Sequence, residues 1–181
     1  MFNAISETAR AYFSTLRFPA ACGILALGTA LSGPAQASDT LLTVIAAGGQ
    51  TTELDREALD ALPQQEFSTE TQWTWEEQSF RGPLLVDVLE MAGLPGPASG
   101  GVIEFVADDG YRARVDLTEN AQYLTDAYPI ITTRINGEPF PLEENGPLWV
   151  MFPYDAQPEL DVEAVHSMTV WQLLQIVEVA E

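Results

Sequence analysis

From Leu41 to Ala47 the chain is an apolar run of strand type, closed by Gly48-Gly49. Asp55 then stands where a helix N-cap belongs, ahead of a short helical stretch from Arg56 to Leu62 that Pro63 stops. Beyond it the period falls to two. Phe67, Thr69, Thr71, Trp73 and Trp75 share one face, and Glu66, Ser68, Glu70, Gln72 and Thr74 share the other, which predicts a strand over 66–75. Hydroxyls and indoles on one side make that face unlike an aliphatic core.

Gly82-Pro83 opens a predicted helix in which Leu84, Leu85, Val88, Leu89 and Ala92 recur at helical spacing, with Gly93 as its left-handed cap before Pro95. Val102–Ala107 and Tyr111–Val115 flank Asp108-Asp109-Gly110, a hairpin signal because Asp-Gly accepts the positive φ that tight turns require. Ile130–Ile135 followed by Asn136-Gly137 repeats that signal. A strand from Leu148 to Phe152 follows Gly146-Pro147, and Thr169–Val179 gives a last turn and strand. The pattern predicts an α+β domain with more strand than helix and no internal repeat.

Charge narrows the function classes. The 181 residues carry 27 Asp and Glu against 7 Arg and no Lys, for a net charge of −20 and a pI near 4.1. Nucleic acid and anionic membrane surfaces both require basic clusters, so both are excluded as partners. With 46% hydrophobic residues the chain can still bury a core, and its length fits one domain.

Residues 1–37 have the pattern of a secretory signal. Arg10 and Arg17 precede an apolar run from Phe18 to Leu31, and Ala35-Gln36-Ala37 supplies the small residues of a cleavage site, placing the cut after Ala37. About 14 residues at ~1.5 Å each fall short of the ~30 Å hydrocarbon core, which argues against an anchor. The expected mature domain is therefore 38–181, periplasmic and not inserted in the membrane. The chain's one cysteine, Cys22, leaves with the leader, so the domain has no thiol nucleophile and no thiolate for a metal.

No catalytic constellation is evident. His166 is the single histidine and reads as a surface or structural residue; no Gly-x-Ser-x-Gly elbow exists. Asp108-Asp109 and Glu143-Glu144 lack the alternating oxygen ligands of a calcium loop and read as solvated turns. What remains is aromatic: Trp73, Trp75, Trp149 and Trp171, three of them beside polar residues. Such rings are core packing or platforms for a flat heterocycle, where stacking contributes ~1–3 kcal/mol per ring.

In order, Phe80-x-Gly82-x-Leu84 with Leu89 and Gly93, Asp109-Gly110-Tyr111, Asn136-Gly137, Gly146-Pro147-Leu148-Trp149, Pro153-Tyr154-Asp155 and Val170-Trp171-Gln172-Leu173 with Ile176 resemble the oxidoreductase molybdopterin-binding domain of the sulfite oxidase superfamily. The resemblance spans residues 41–179. It implies a sulfite oxidase fold, α+β, with mixed, bent sheets and short peripheral helices. Enzymes of that family hold molybdenum through the pterin dithiolene and a protein cysteine. This chain is similar to small, exported, cysteine-free members, pterin-binding proteins that report to membrane-bound signalling enzymes, including those of cyclic-di-GMP.

On that resemblance the ligand is a pterin and not the complete molybdenum cofactor, whose phosphate needs cations that the chain scarcely has. Asp109 or Asp155 takes the donor edge of the pterin, and Trp73, Tyr111, Trp149 or Trp171 stacks on its ring. Thr71, Tyr154 and Gln172 complete the implied ligand contacts. Two other readings compete: a molybdopterin-dependent oxidoreductase lacking the cysteine ligand, and an interaction module with structural tryptophans whose acidic face docks a basic partner.

Overall fold

The computed structural model describes residues 39–180; the predicted leader, residues 1–37, lies outside them. Within this stretch sheet dominates and helices are few. Five strands form the main sheet: β1 (Leu42–Ile45), β2 (Thr51–Leu54), β5 (Val102–Ala107), β6 (Arg112–Asp116) and β10 (Leu173–Val179), in the order β2-β1-β10-β5-β6. β10 runs parallel to β1, with Thr43 opposite Gln175, and antiparallel to β5. A three-stranded sheet orders β3 (Gln64–Thr69), β4 (Gln78–Pro83) and β8 (Arg134–Ile135). β7 (Ile130–Thr132) pairs with β9 (Trp149–Met151).

The three α-helices are short, and two follow the sequence pattern. In α1 (Arg56–Ala61) Asp55 Oδ1 accepts the Ala58 N–H at 2.7 Å, the expected N-cap, while Leu59 is fully buried. α2 (Leu85–Met91) buries Leu85, Val88 and Leu89 and ends at Gly93, whose φ is 73°. The third, α3 (Glu163–Met168), which the sequence pattern did not predict, carries His166 and buries Val165 and Met168.

Other expectations are corrected. Gly82-Pro83 ends a strand instead of opening a helix. A Cβ on Gly82 would lie 1.9 Å from the Ile131 carbonyl oxygen, so β7 passes too close to β4 for any other residue. The strand predicted to reach Trp75 stops at Thr69. Thr71 Oγ1 accepts the N–H groups of Trp73 and Thr74, each at 3.1 Å, and this side-chain capture bends the backbone into a turn. Ile130–Ile135 is divided between two sheets, and Asn136 and Gly137, with φ of 52° and 85°, close a tight turn whose return is a single bridge from Ile135 to Glu138. The Asp109-Gly110 hairpin is as expected, with Val106 opposite Arg112 and Gly110 at φ 85°.

Between the sheets lies one core, in which Phe80, Phe105, Trp149 and Phe152 are the largest fully buried side chains. Among the described residues no helix is long and apolar enough to cross a membrane.

Candidate functional site

Three indoles meet where the turn after β3, strand β9 and the start of β10 converge. The ring centroids of Trp73, Trp149 and Trp171 are 5.8–6.4 Å apart, and every pair is edge-on. The corners are not equivalent. Trp149 is 1% exposed and also meets Phe80 edge-on at 5.9 Å, so it is a core ring and not the exposed stacking platform the sequence allowed. Trp73 and Trp171 are half-buried. Trp75, by contrast, is fully exposed.

Beside the two outer indoles is a cavity of ≈ 280 Å³, lined by Trp73, Ala107, Asp109, Tyr111, His166, Thr169, Val170 and Trp171. Its size is near the lower end of small-molecule pockets, ~300–1,000 Å³, and suits a guest of one or two rings. Each wall has a local cause. The β5–β6 hairpin turn projects Asp109 and Tyr111, and Asp109 Oδ1 accepts the Tyr111 N–H at 2.8 Å, which leaves the carboxylate with further acceptor capacity. The hydroxyl of Tyr111 points back to the Ser167 carbonyl at 3.4 Å, towards α3.

A second cavity, ≈ 470 Å³, is lined by Glu70, Thr71, Gln72, Trp73, Tyr154, Asp155, Pro158, Asp161 and His166. Trp73 and His166 line both. Asp155 fixes the end of β3: its Oδ2 accepts the Glu70 N–H at 2.8 Å, and its own N–H donates to Thr69 Oγ1 at 3.1 Å. Tyr154 is buried. Because Thr169 Oγ1 donates to the Val165 carbonyl at 2.9 Å, the bond between the two hydroxyls runs from Tyr154 to Thr169. Burial pushes the Tyr154 phenol up to about 12, with the Thr169 bond opposing and the Asp161 charge adding to it.

The sequence candidates therefore divide. Trp73, Asp109, Tyr111 and Trp171 share the first cavity, while Thr71, Trp73, Tyr154 and Asp155 belong to the second. Asp109 and Asp155, alternatives in the sequence, serve different cavities. Gln172 lines neither. With φ of 50°, it donates from Nε2 to the Leu142 carbonyl and from its N–H to the Asn145 carbonyl, which fastens the 141–145 loop beside Trp171.

His166, read from the sequence as a surface or structural residue, is one the sequence did not add to the site. It is a wall of both cavities, 5.8 Å from the Trp73 ring and 5.7 Å from the Tyr154 ring, with Nε2 2.9 Å from Asp161 Oδ1. The usable signal was Val165 and Met168 three apart, which puts His166 on the flank of a one-sided helix just before Trp171. Among the described residues no three His, Cys, Asp or Glu side chains are grouped to hold a metal ion. No arginine lines either cavity. Arg112 is paired with Glu104, and Arg134 forks onto Asp60 at 2.6 Å through both nitrogens.

No family model matches the chain, and no curated protein does. Its fold is similar to that of an enzyme of the molybdopterin-dependent sulfite oxidase family. That enzyme is the sulfane dehydrogenase SoxCD from Paracoccus pantotrophus, with a TM-score of 0.54 and 14% identity over 80% of this chain and 39% of the other. This chain thus spans well under half of the SoxCD chain, and at that identity the likeness is one of fold.

Proposed function

We propose that the chain is a non-catalytic pterin-binding protein of the periplasm, a receptor or carrier that reports its ligand to the periplasmic region of a membrane signalling protein. One observation carries the ligand: a cavity of ≈ 280 Å³ with two half-buried indoles, a tyrosine and a single carboxylate on its walls. A pterin offers a flat bicyclic ring that can stack on one of Trp73 and Trp171 and meet the other edge-on, because the two indoles stand edge-on to each other, and an amidine-like edge of N–H donors to Asp109. One stacked ring, one edge-on ring and two charge-assisted bonds gross ~4.5–10.5 kcal/mol, and micromolar affinity needs ~8 kcal/mol net. Fixed walls are therefore essential, since ordering costs are subtracted from that gross. The edge-on indoles and the side-chain bonds that hold the turn at Thr71 supply them.

The complete molybdenum cofactor fits these walls poorly. Its phosphate would meet Asp109 in one cavity or Glu70, Asp155 and Asp161 in the other, with no arginine to neutralise it, and the described residues include no cysteine. A neutral pterin meets neither obstacle. The likeness to a molybdopterin enzyme supports a pterin in this fold, and that relationship also keeps an oxidoreductase as the competing reading.

The deciding experiment is mass spectrometry of the small molecule released when the periplasmically purified protein is denatured, with elemental analysis of the same sample. A pterin with molybdenum far below equimolar is the expected result. Equimolar molybdenum would transfer the assignment to the enzyme. Tryptophan emission indifferent to added pterin would leave an interaction module.

A further inference from the structure

Two cavities with a common wall pose a question that ring recognition alone leaves open: what does the second chamber accept? We infer that it receives the substituent carried by the pterin ring, and that it selects substituents bearing hydrogen-bond donors, hydroxyls or an amine, against anionic ones. The inference rests on the pterin reading above and extends it from the ring to the tail.

The geometry is that of a partition. Trp73 and His166 line both spaces, with their rings edge-on at 5.8 Å, so a ring held against Trp73 in the smaller cavity lies next to the larger. The larger chamber, ≈ 470 Å³, has three carboxylates, Glu70, Asp155 and Asp161, on its lining. Ionised carboxylates accept hydrogen bonds and donate none, so a tail rich in O–H or N–H groups is complementary and one rich in acceptors is not. His166 is the one basic side chain on the boundary, and Asp161 already holds its Nε2 at 2.9 Å. An anionic tail would therefore enter a chamber of like charge with no arginine on its walls.

Local structure keeps one of these carboxylates in place. Asp155 is tied at both ends of its backbone–side-chain unit to the terminus of β3, through the Glu70 N–H and Thr69 Oγ1. Thr69, fully buried, passes the contact on by donating from Oγ1 to the Glu70 carbonyl at 3.0 Å. The Asp155 carboxylate of the chamber is thus tied to the same turn that presents Trp73.

The test is calorimetric titration of the whole domain at neutral pH with three ligands that differ only at the ring substituent: 6-hydroxymethylpterin, 6-aminomethylpterin and pterin-6-carboxylate. The hydroxymethyl and aminomethyl forms should bind about tenfold or more tightly than the carboxylate, and the gap should narrow as salt is raised. In the double variant Glu70→Gln, Asp155→Asn, which keeps the acceptor for the Glu70 N–H, the gap should fall below about threefold, while thermal unfolding confirms that the domain still folds. Carboxylate and hydroxymethyl forms binding equally to the parent protein would overturn the inference and leave the pterin reading standing. If none of the three bound, the pterin reading would fall, and this inference with it.

Discussion

The five-stranded sheet and the turn that bears Trp73 are stabilised in opposite ways. The sheet is held by backbone ladders and apolar burial: Leu42, Val44, Ile103, Phe105, Leu173 and Ile176 are all at most 1% exposed. Residues 69–74 bury little besides Thr69 and depend on named side-chain hydrogen bonds, donated by the Trp73 and Thr74 N–H groups to Thr71 and by the Glu70 N–H to Asp155. Apolar burial is non-directional and tolerates small displacements. Hydrogen-bonded turns fix direction at little total energy. A site that must hold two indole walls within contact distance needs the second kind of stabilisation resting on the first.

Five perturbations sharpen that contrast. Trp149→Ala, in the core corner of the indole triangle, should cost ~3–5 kcal/mol in denaturant unfolding and abolish binding as a by-product. Trp73→Ala should separate the two regions: pterin binding falls by ~1–3 kcal/mol or more, while the melting temperature moves only a few degrees. Collapse of the fold would instead make Trp73 a core residue. Thr71→Val removes the acceptor for two N–H groups and should cost ~1–2 kcal/mol, with faster amide exchange confined to the turn.

The smallest effect is electrostatic. The bidentate Arg134 fork holds the Asp60 carboxyl below its ordinary range, with burial opposing. A depressed folded value means stability present at neutral pH and lost as pH falls through that value. Arg134→Ala should therefore lower stability by ~1 kcal/mol at most at pH 7, since the pair is part-exposed, and the difference should vanish in strong acid. Tyr154 gives the opposite sign. Its phenol is raised from 10.0 to about 12, so its contribution is complete below pH 10 and is lost as pH climbs towards 12, which an ultraviolet titration of unfolding against Tyr154→Phe would read.

Elements governed by local chemistry were legible from the sequence. Asp55 as a cap, the Leu85-Val88-Leu89 face of α2, the Asp109-Gly110 turn and the last strand all have signals within a few residues. β2 was missed because Thr51-Thr52-Glu53-Leu54 is a polar edge strand with one buried residue. β4 was obscured by Gly82-Pro83, whose glycine is dictated by Ile131 in a strand almost fifty residues away. For the site, the sequence supplied Trp73, Asp109, Tyr111 and Trp171 as types. It could not divide them from Asp155 and Tyr154, nor bring in His166, because the partition between chambers arises only when the β3 turn meets α3.

The parallel pairing of β1 with β10 has a consequence for the order of events during folding. Residues 173–179 occupy the middle position of the main sheet, with β1 on one side and β5 on the other. A polypeptide delivered N-terminus first holds β1 in waiting until β10 emerges, so the sheet cannot zip progressively from one edge. Such long-range closure is intrinsically slow. In the interval β1 and β5 each lack a neighbour, which makes the nascent chain a client for whatever shields exposed strand edges in its compartment.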